Sequence, residues 1–356
     1  MSKIYLLQNV YEAAIERLEF VRDNFDRVVI AFSGGKDSTL TLALAAEVLN
    51  DFSVYFWDKE SNLLTTRDFI LRTFDESLPA GVVPYWFCLP YRMRNALSVY
   101  EPYWTCWDPD ARERWIYPIP DRRYVYTRKN NILADHGYTP ERHNLYKLFA
   151  ELVSERGRYR TAILVGLRAD ESLNRFRAVT KYPQLGHGWI AQTDADNCYN
   201  VYPIYDWSFG DVWVYINRHH VPYNPVYDLM WAKGLLKRNM RISQSFCDVS
   251  KKGIPVLREL EPESFERFLQ RVGGVNSMTH VDLSEVLKAA AGVDYDFLLQ
   301  LYPEKIQRQI QRRLERSQVL EPDDPNVIRA LLNNDIRLKR VNRAPRADLK
   351  ERWKDL

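Results

Sequence analysis

The stretch Val28-Val29-Ile30-Ala31-Phe32-Ser33-Gly34-Gly35-Lys36-Asp37-Ser38 constrains the fold more than any other part of the chain. Val28 to Phe32 is short, β-rich and without a polar break, the pattern of a strand buried on both faces of a parallel sheet. The turn that follows is glycine-rich, so its backbone can approach a ligand closely, and Ser33, Ser38 and Thr39 offer hydroxyls. Thr39 to Leu49 then reads as a helix with almost no polar face, buried between sheet and neighbours. Its first N–H groups point back at the turn. A strand, a glycine turn and a helix N-terminus together make an anion cradle.

The turn is neither a Walker A loop, which needs four residues between its first glycine and a Gly-Lys pair, nor a GxGxxG fingerprint. The motif that stands here, SGGKDS, resembles the pyrophosphate-binding PP-loop of the N-type ATP pyrophosphatases. That superfamily includes phosphoadenosine phosphosulfate (PAPS) reductases, sulfate adenylyltransferase small subunits, GMP synthetases and tRNA-thiolation enzymes. A second match lies more than a hundred residues downstream. The strand Thr161 to Val165 ends in Gly166-Leu167-Arg168-Ala169-Asp170-Glu171-Ser172-Leu173-Asn174-Arg175, similar to the GxRxxES…R segment of the PAPS-reductase branch at Gly166, Arg168, Glu171, Ser172 and Arg175. Gly166 lets backbone approach a ligand, Arg168 reaches a phosphate bidentately, and Glu171 and Arg175 lie one helical turn apart, where they can simply pair.

The resemblance implies an α/β fold with a doubly wound, mostly parallel sheet of the adenine nucleotide alpha-hydrolase type, and a site for ATP, or for a PAPS-type adenine nucleotide, with Mg²⁺. Ser33, Gly34, Gly35, Lys36, Asp37, Ser38, Gly166, Arg168, Glu171 and Arg175 would hold the nucleotide, with Lys36, Asp37 and Arg168 in the reaction. The second strand, Ser53 to Trp57, delivers Asp58 and Glu60 to the rim where ligands bind in open α/β sheets. Followed by Thr65 and Thr66, it is similar to the relatives' strand, acidic residue and downstream threonine. Asp58 is therefore read as contacting the nucleotide or a Mg²⁺-bound water, against the plainer reading of a strand-ending acid that starts a turn.

Around this centre, Val10, Ala14, Leu18, Val21 and Phe25 recur at helical spacing, with Glu12, Glu16, Arg17 and Arg22 on other faces, so residues 8–25 read as an amphipathic helix. Between Pro79 and Asn144 no long periodic run is legible. This aromatic-rich insertion mixes Tyr85-Trp86-Phe87, Tyr103-Trp104 and Trp107 with Arg92, Arg94, Arg112, Arg114, Arg122, Arg123 and Arg128. Such a mixture either stacks on bases and holds phosphates or packs as a satellite core with guanidinium groups over indoles. Leu145 to Arg156 reads as a helix. Ser208 and Asp211 form a capping box for another, with Val212, Tyr215 and Ile216 inward. Trp207, Asp211 and Trp213, and the loop Tyr223 to Asp228, resemble the segment that closes the family's cleft, an architectural role. From these elements the chain is expected to comprise a nucleotide-binding α/β domain over 1–235, with the insertion at 79–144, and a helical C-terminal region over 236–356. Helices are read at Glu261 to Val272, Leu283 to Ala291, Asp294 to Leu314 and Pro325 to Leu332.

A net charge of +3 forces no nucleic-acid partner. The charged helix near Tyr302 to Arg316 and the basic tail from Arg337 to Lys354 read either as solvated faces or as contacts for nucleic acid or an acidic protein. The N-terminus lacks the apolar run of a signal peptide and no stretch approaches the ~20 apolar residues that span a bilayer, so a cytoplasmic protein is expected. Cys88, Cys106, Cys198 and Cys247 are scattered without a CxxC pair, as buried small hydrophobes of a reducing compartment would be.

A PAPS reductase performs its redox step with a cysteine in a C-terminal Glu-Cys-Gly-x-His motif, which is absent here, as is the cysteine set of an iron–sulfur cluster. The chain resembles the bacterial and mobile-element PAPS-reductase-like proteins, some encoded beside ParB-like proteins. The activity expected is cleavage of ATP between the α and β phosphates to adenylate an acceptor, in sulfur or nucleic-acid modification. The alternative is a non-catalytic nucleotide sensor that acts on a ParB-like or DNA partner.

Overall fold

The computed structural model describes residues 7–98, 101–140, 144–180, 183–235, 240, 242, 246 and 254–275. Helix α1 (Val10–Asn24) opens on a capping box: the Asn9 side chain accepts from Glu12 N–H at 2.9 Å while the Glu12 carboxylate accepts from Asn9 N–H at 3.1 Å. Ala14, Leu18 and Val21 are fully buried. Arg17, which spacing places on a polar face, is buried with them. Its guanidinium donates twice to Asp206, at 2.8 and 2.7 Å, and to the Pro203 carbonyl at 2.7 Å. Burial is tolerated because the charge is paired and its donors are used.

The elements that follow are β1 (Arg27–Ala31), α2 (Lys36–Val48), β2 (Ser53–Trp57), α3 (Leu64–Arg72), β3 (Val83–Cys88), β4 (Tyr91–Arg94), β5 (Tyr103–Cys106) and β6 (Val125–Thr127). Next come α4 (Leu145–Val153), β7 (Thr161–Val165), α5 (Leu173–Thr180), β8 (Ile190–Gln192), β9 (Cys198–Val201), α6 (Phe209–Arg218), α7 (Val226–Ala232), α8 (Ile254–Leu260) and α9 (Pro262–Arg271). Seven strands form one sheet in the order β6-β3-β2-β1-β7-β9-β8, while β4 and β5 make a separate ribbon. Within the large sheet every pairing is parallel except β8 with β9. From β1 the chain builds outward through β2, β3 and β6, then returns to place β7 on the other side of β1. The strand order therefore reverses between β1 and β7, where an α/β sheet opens a crevice at its carboxyl edge.

Side-chain alternation divides the sheet into two faces. Val29, Tyr55, Phe87 and Ile163 pack with Leu145, Leu148, Phe149 and Val153 of α4 in one core. Val28 and Ile30, of opposite parity, belong to the other face, where α2 packs against α1 and α6. Segment 79–144 contributes two strands of this sheet. Tyr85 is in register with Tyr55 of β2, and Phe87 with Tyr126 of β6. The insertion proper narrows to the residues between β3 and β6. Several of its large side chains are core: Trp104, Trp107, Ile116 and Tyr117 are buried, Tyr103 is exposed, and the Arg67 guanidinium lies over Tyr117 at 4.8 Å.

The chain divides into two compact units, Met1–Met93, Trp104–Ser245 and Val256–Arg271 in one, and Arg94–Tyr103, Phe246–Pro255 and Val272–Leu356 in the other. The second unit includes hydrogen bonds from Asn95 Nδ2 to the Gly273 carbonyl and from Ala96 N–H to the Phe246 carbonyl, both 2.9 Å. Helix α9 matches the reading of 261–272. The helices read at 283–291, 294–314 and 325–332, the tail and Cys247 lie outside the described residues. Among the described residues no helix is long and apolar enough to cross a membrane.

Candidate functional site

Both motifs end at the crevice between β1 and β7. Helix α2 begins at Lys36, three residues before the start read from the sequence, so Lys36 and Asp37 stand in its first turn. Gly35 is the N-cap and supplies no side-chain cap. Lys36 N–H donates to the Tyr227 hydroxyl at 3.0 Å. Among the described residues no protein acceptor is recorded for the N–H groups of Gly34, Gly35, Asp37 and Ser38. The neighbouring helix starts differ. The first N–H groups of α3 are taken by Glu261, from Leu64 at 2.8 Å and Thr65 at 2.9 Å. At α6 the Ser208–Asp211 capping box takes the Asp211 N–H at 3.2 Å and leaves those of Phe209 and Gly210 without an acceptor among the described residues. Of these three helix starts, α2 is the one with neither an N-cap side chain nor a carboxylate on its first N–H groups, next to its positive dipole end.

The turn geometry is forced by contacts. Gly34 has φ +69°, and a Cβ there would lie 2.8 Å from Ile70 Cγ1. Gly166, at the end of β7, is closer still to α2: a Cβ would lie 2.6 Å from the Asp37 carbonyl oxygen and 2.9 Å from Ser38 N. Its hydrogen is what lets the two motifs touch. Ser33 and Ser38 meet through their hydroxyls at 3.2 Å, and Ser38 Oγ donates to the Gly35 carbonyl at 2.9 Å. The Thr39 hydroxyl oxygen is buried without a partner among the described residues.

The charged groups form one network. Asp37 accepts from Lys36 Nζ on one oxygen at 2.8 Å and from Arg168 Nε on the other at 2.7 Å. Arg168 also donates to Asp170 at 2.8 Å and to Glu171 at 3.0 Å, and Lys36 Nζ lies 3.9 Å from Glu171. Arg175 pairs with the other Glu171 oxygen. Lys36 and Arg168 are each 3% exposed. Burial pulls the Arg168 guanidinium pKa down, but Asp37, Asp170 and Glu171 outweigh it and hold it above its ordinary value. Asp37 thus ties Lys36 and Arg168 to one point.

Two residues that sequence reading assigned only to architecture complete the site. Asn224 Nδ2 donates to the Gly34 carbonyl at 3.1 Å and to Thr66 Oγ1 at 2.9 Å, pinning the turn. Burial pushes the Tyr227 phenol well above its usual pKa, so it stays protonated beside Lys36. Both fall in the Tyr223 to Asp228 loop, whose resemblance was the one signal available.

Asp58 and Glu60 are not part of this group. Asp58 is 2% exposed, and its oxygens accept from Arg67 Nε at 3.1 Å, Trp86 Nε1 at 3.0 Å and Glu60 N–H at 2.9 Å. Glu60 in turn accepts from Trp107 N–H at 2.6 Å and Arg271 Nε at 2.6 Å. The two acids are buried and fasten the insertion and α9 to the end of β2. No group of three His, Cys, Asp or Glu residues able to hold a metal occurs among the described residues, and the oxygens of Asp37 and Glu171 are engaged by cations. A protein-held Mg²⁺ does not fit these side chains.

Residues 134–279 match the phosphoadenosine phosphosulfate reductase domain. The chain is 33% identical over 285 residues to the uncharacterised protein YbdN of Escherichia coli, covering 77% of this chain and 68% of that one. Two uncharacterised proteins of Methanocaldococcus jannaschii are 24% and 27% identical, and the chain spans 47% and 42% of their lengths. Solved structures that align with it include a PAPS reductase from Candida auris in a phosphate complex, at TM-score 0.32 and 15% identity over 64% of this chain and 94% of that one. Another is the FMN adenylyltransferase of Candida glabrata with FMN and AMPCPP, at TM-score 0.35 and 14% identity over 64% of each chain. On the domain match and the YbdN relationship, the chain belongs to the PAPS reductase-like branch of the PP-loop superfamily.

Proposed function

We propose that the chain binds ATP with its pyrophosphate portion on the first turn of α2 and transfers the adenylyl group to an acceptor. The observation that carries this reading is the convergence, at the sheet's switch point, of unclaimed N–H groups at Gly34, Gly35, Asp37 and Ser38 with the buried cations Lys36 and Arg168. In the transfer an acceptor oxygen bonds to the α-phosphorus, the bridging P–O bond breaks with its electron pair going to pyrophosphate, and the acceptor's proton passes to water. Such a step asks the protein mainly for positioning and charge stabilisation. The α2 N–H groups and Lys36 would hold the leaving pyrophosphate, whose charge grows as the bond breaks. Arg168 would hold a second anionic oxygen, and Asp37 would keep both cations aimed.

Reduction is the less supported branch. Cys88 and Cys106 are buried and their thiol pKa values pushed up by burial, and that of Cys198 is pushed up to about 11 by the same cause. None of these three is poised as a thiolate nucleophile. The test is incubation of the full chain with Mg²⁺ and ATP labelled at the α-phosphate, with tRNA, DNA and free nucleosides added in turn. Pyrophosphate release that depends on one acceptor and is lost in Lys36→Ala is expected. Formation of ADP and phosphate instead, or turnover unchanged in Lys36→Ala, would overturn the reading.

A further inference from the structure

Beside the cradle, residues of α6, α7 and the loop between them, with Met240, frame a cavity of about 320 Å³. Phe209, Trp213, Tyr223, Tyr227 and Trp231 line it, together with one carboxylate, Asp228. The Phe209 and Tyr227 rings also serve the cradle, with centroids 5.5 and 5.9 Å from Lys36 Nζ. Trp213 stands edge-on to Tyr223 and Tyr227, at 5.2 and 5.3 Å between centroids, which fixes the inner wall. Trp231 is 63% exposed. The Tyr223 hydroxyl donates to Asp228 Oδ1 at 2.9 Å, orienting the carboxylate; its other oxygen has no recorded donor among the described residues.

We propose that this cavity is the acceptor subsite and takes a nucleobase bearing both an exocyclic amine and a carbonyl oxygen, cytosine or guanine; the proposal rests on the adenylyl-transfer reading above. Three features argue for it. Aromatic walls stack a flat heterocycle, whichever face it presents. The charged group among the lining residues accepts hydrogen bonds, so it selects an occupant that donates them, as a carboxylate does with the amino group of cytosine. Transfer to oxygen further requires a carbonyl on the same ring. A lone ammonium would leave most of the volume empty, which lies at the lower end of small-ligand sites, ~300–1,000 Å³. Two walls of the cavity, Phe209 and Tyr227, are the rings nearest Lys36 Nζ, whereas the base of a nucleotide held at the cradle is separated from its phosphates by the ribose.

The test follows tryptophan fluorescence of the full chain as cytidine, uridine, guanosine and inosine are titrated, each pair differing in its amine. Cytidine and guanosine are expected to bind at least ~10-fold more tightly than uridine and inosine. Asp228→Asn should erase that ratio, and Trp231→Ala should weaken cytidine by about tenfold. Cytidine should still bind when AMPCPP fills the cradle. Equal binding of cytidine and uridine, preference for tetramethylammonium, or loss of cytidine binding to AMPCPP but not to pyrophosphate would each overturn the assignment, the last by placing the nucleotide's own base in the cavity. Inorganic pyrophosphate titrated into the same preparation separates the two claims. If it binds and no nucleoside does, the acceptor subsite alone fails. If it does not bind, the cradle reading fails and takes the subsite with it.

Discussion

Replacing Gly166 by alanine tests whether contact between β7 and α2 sets the geometry of the cradle. The added methyl would sit 2.6 Å from the Asp37 carbonyl oxygen, 2.7 Å from its carbon and 2.9 Å from Ser38 N, all backbone of the turn that would face pyrophosphate. Backbone cannot swing aside as a side chain would, so β7 and α2 must separate. Overpacking of this kind costs about 1–3 kcal/mol, and in a chain of 356 residues each kcal/mol lowers Tm by about 1–2 °C. Because the displaced atoms are the cradle itself, nucleotide affinity should fall by at least about tenfold, a loss of about 1.4 kcal/mol. Gly35→Ala is the contrast. Its Cβ would meet Ser33 Oγ at 3.4 Å and the Tyr227 hydroxyl at 3.5 Å, ordinary contacts. Stability should then change little, since about 0.4–1 kcal/mol gained by stiffening the unfolded chain is set against a poorer N-cap. Ligand affinity should still drop, because the methyl projects where backbone meets phosphate. Thermal unfolding and calorimetric titration of ATP measure both quantities. Wild-type Tm and affinity in Gly166→Ala would refute the reasoning.

Other outcomes follow from the same contacts. Asp58→Ala strands the buried Arg67 and Trp86 donors, which should cost about 3–5 kcal/mol and a Tm fall of about 5 °C; an unchanged Tm with an altered Mg²⁺ requirement would return Asp58 to the ligand role. Burial holds the thiols of Cys88, Cys106 and Cys198 above their ordinary pKa, so at pH 8 iodoacetamide should label their peptides only after denaturation, as read by mass spectrometry; rapid native labelling would contradict their burial. The phenols of Tyr55, Tyr215 and Tyr227 are likewise pushed up by burial. A folded pKa above the unfolded value of about 10 gives stability that is complete below that pH and lost as pH rises. The urea midpoint should therefore decline from pH 9 to 11, and a flat profile would show that these phenols ionise freely in the native state.

Strands β1, β2 and β7 and the capping box of α6 were legible because their determinants are local: an unbroken apolar run, or Ser208 and Asp211 three residues apart. The start of α2 was read late because Lys36 and Asp37 look like turn residues, although Gly35 suffices as an N-cap. Strands β3 and β6 were hidden for a different reason. Pro84 and the arginines blur their period, and β6 has only three residues, so what makes them strands is pairing with β2 and with each other. Asp58 misled because a strand-ending acid at the rim looks the same whether it faces a ligand or Arg67 and Trp86. Tyr227 and Asn224 reach Lys36 and Gly34 across about 190 residues of chain, a proximity that no spacing rule encodes. Lys36, Asp37, Arg168, Glu171 and Arg175 were individually legible as motif residues, but the sharing of Asp37 between Lys36 and Arg168 required the fold.

The most direct test of the central claim is calorimetric titration of the full chain with inorganic pyrophosphate, ATP and AMP, repeated with Lys36→Ala. Pyrophosphate and ATP should compete for one site, AMP should bind at least about tenfold more weakly, and Lys36→Ala should weaken the first two. AMP binding as tightly as ATP, or pyrophosphate binding unaffected by Lys36→Ala, would contradict the claim that the first turn of α2 is a pyrophosphate cradle.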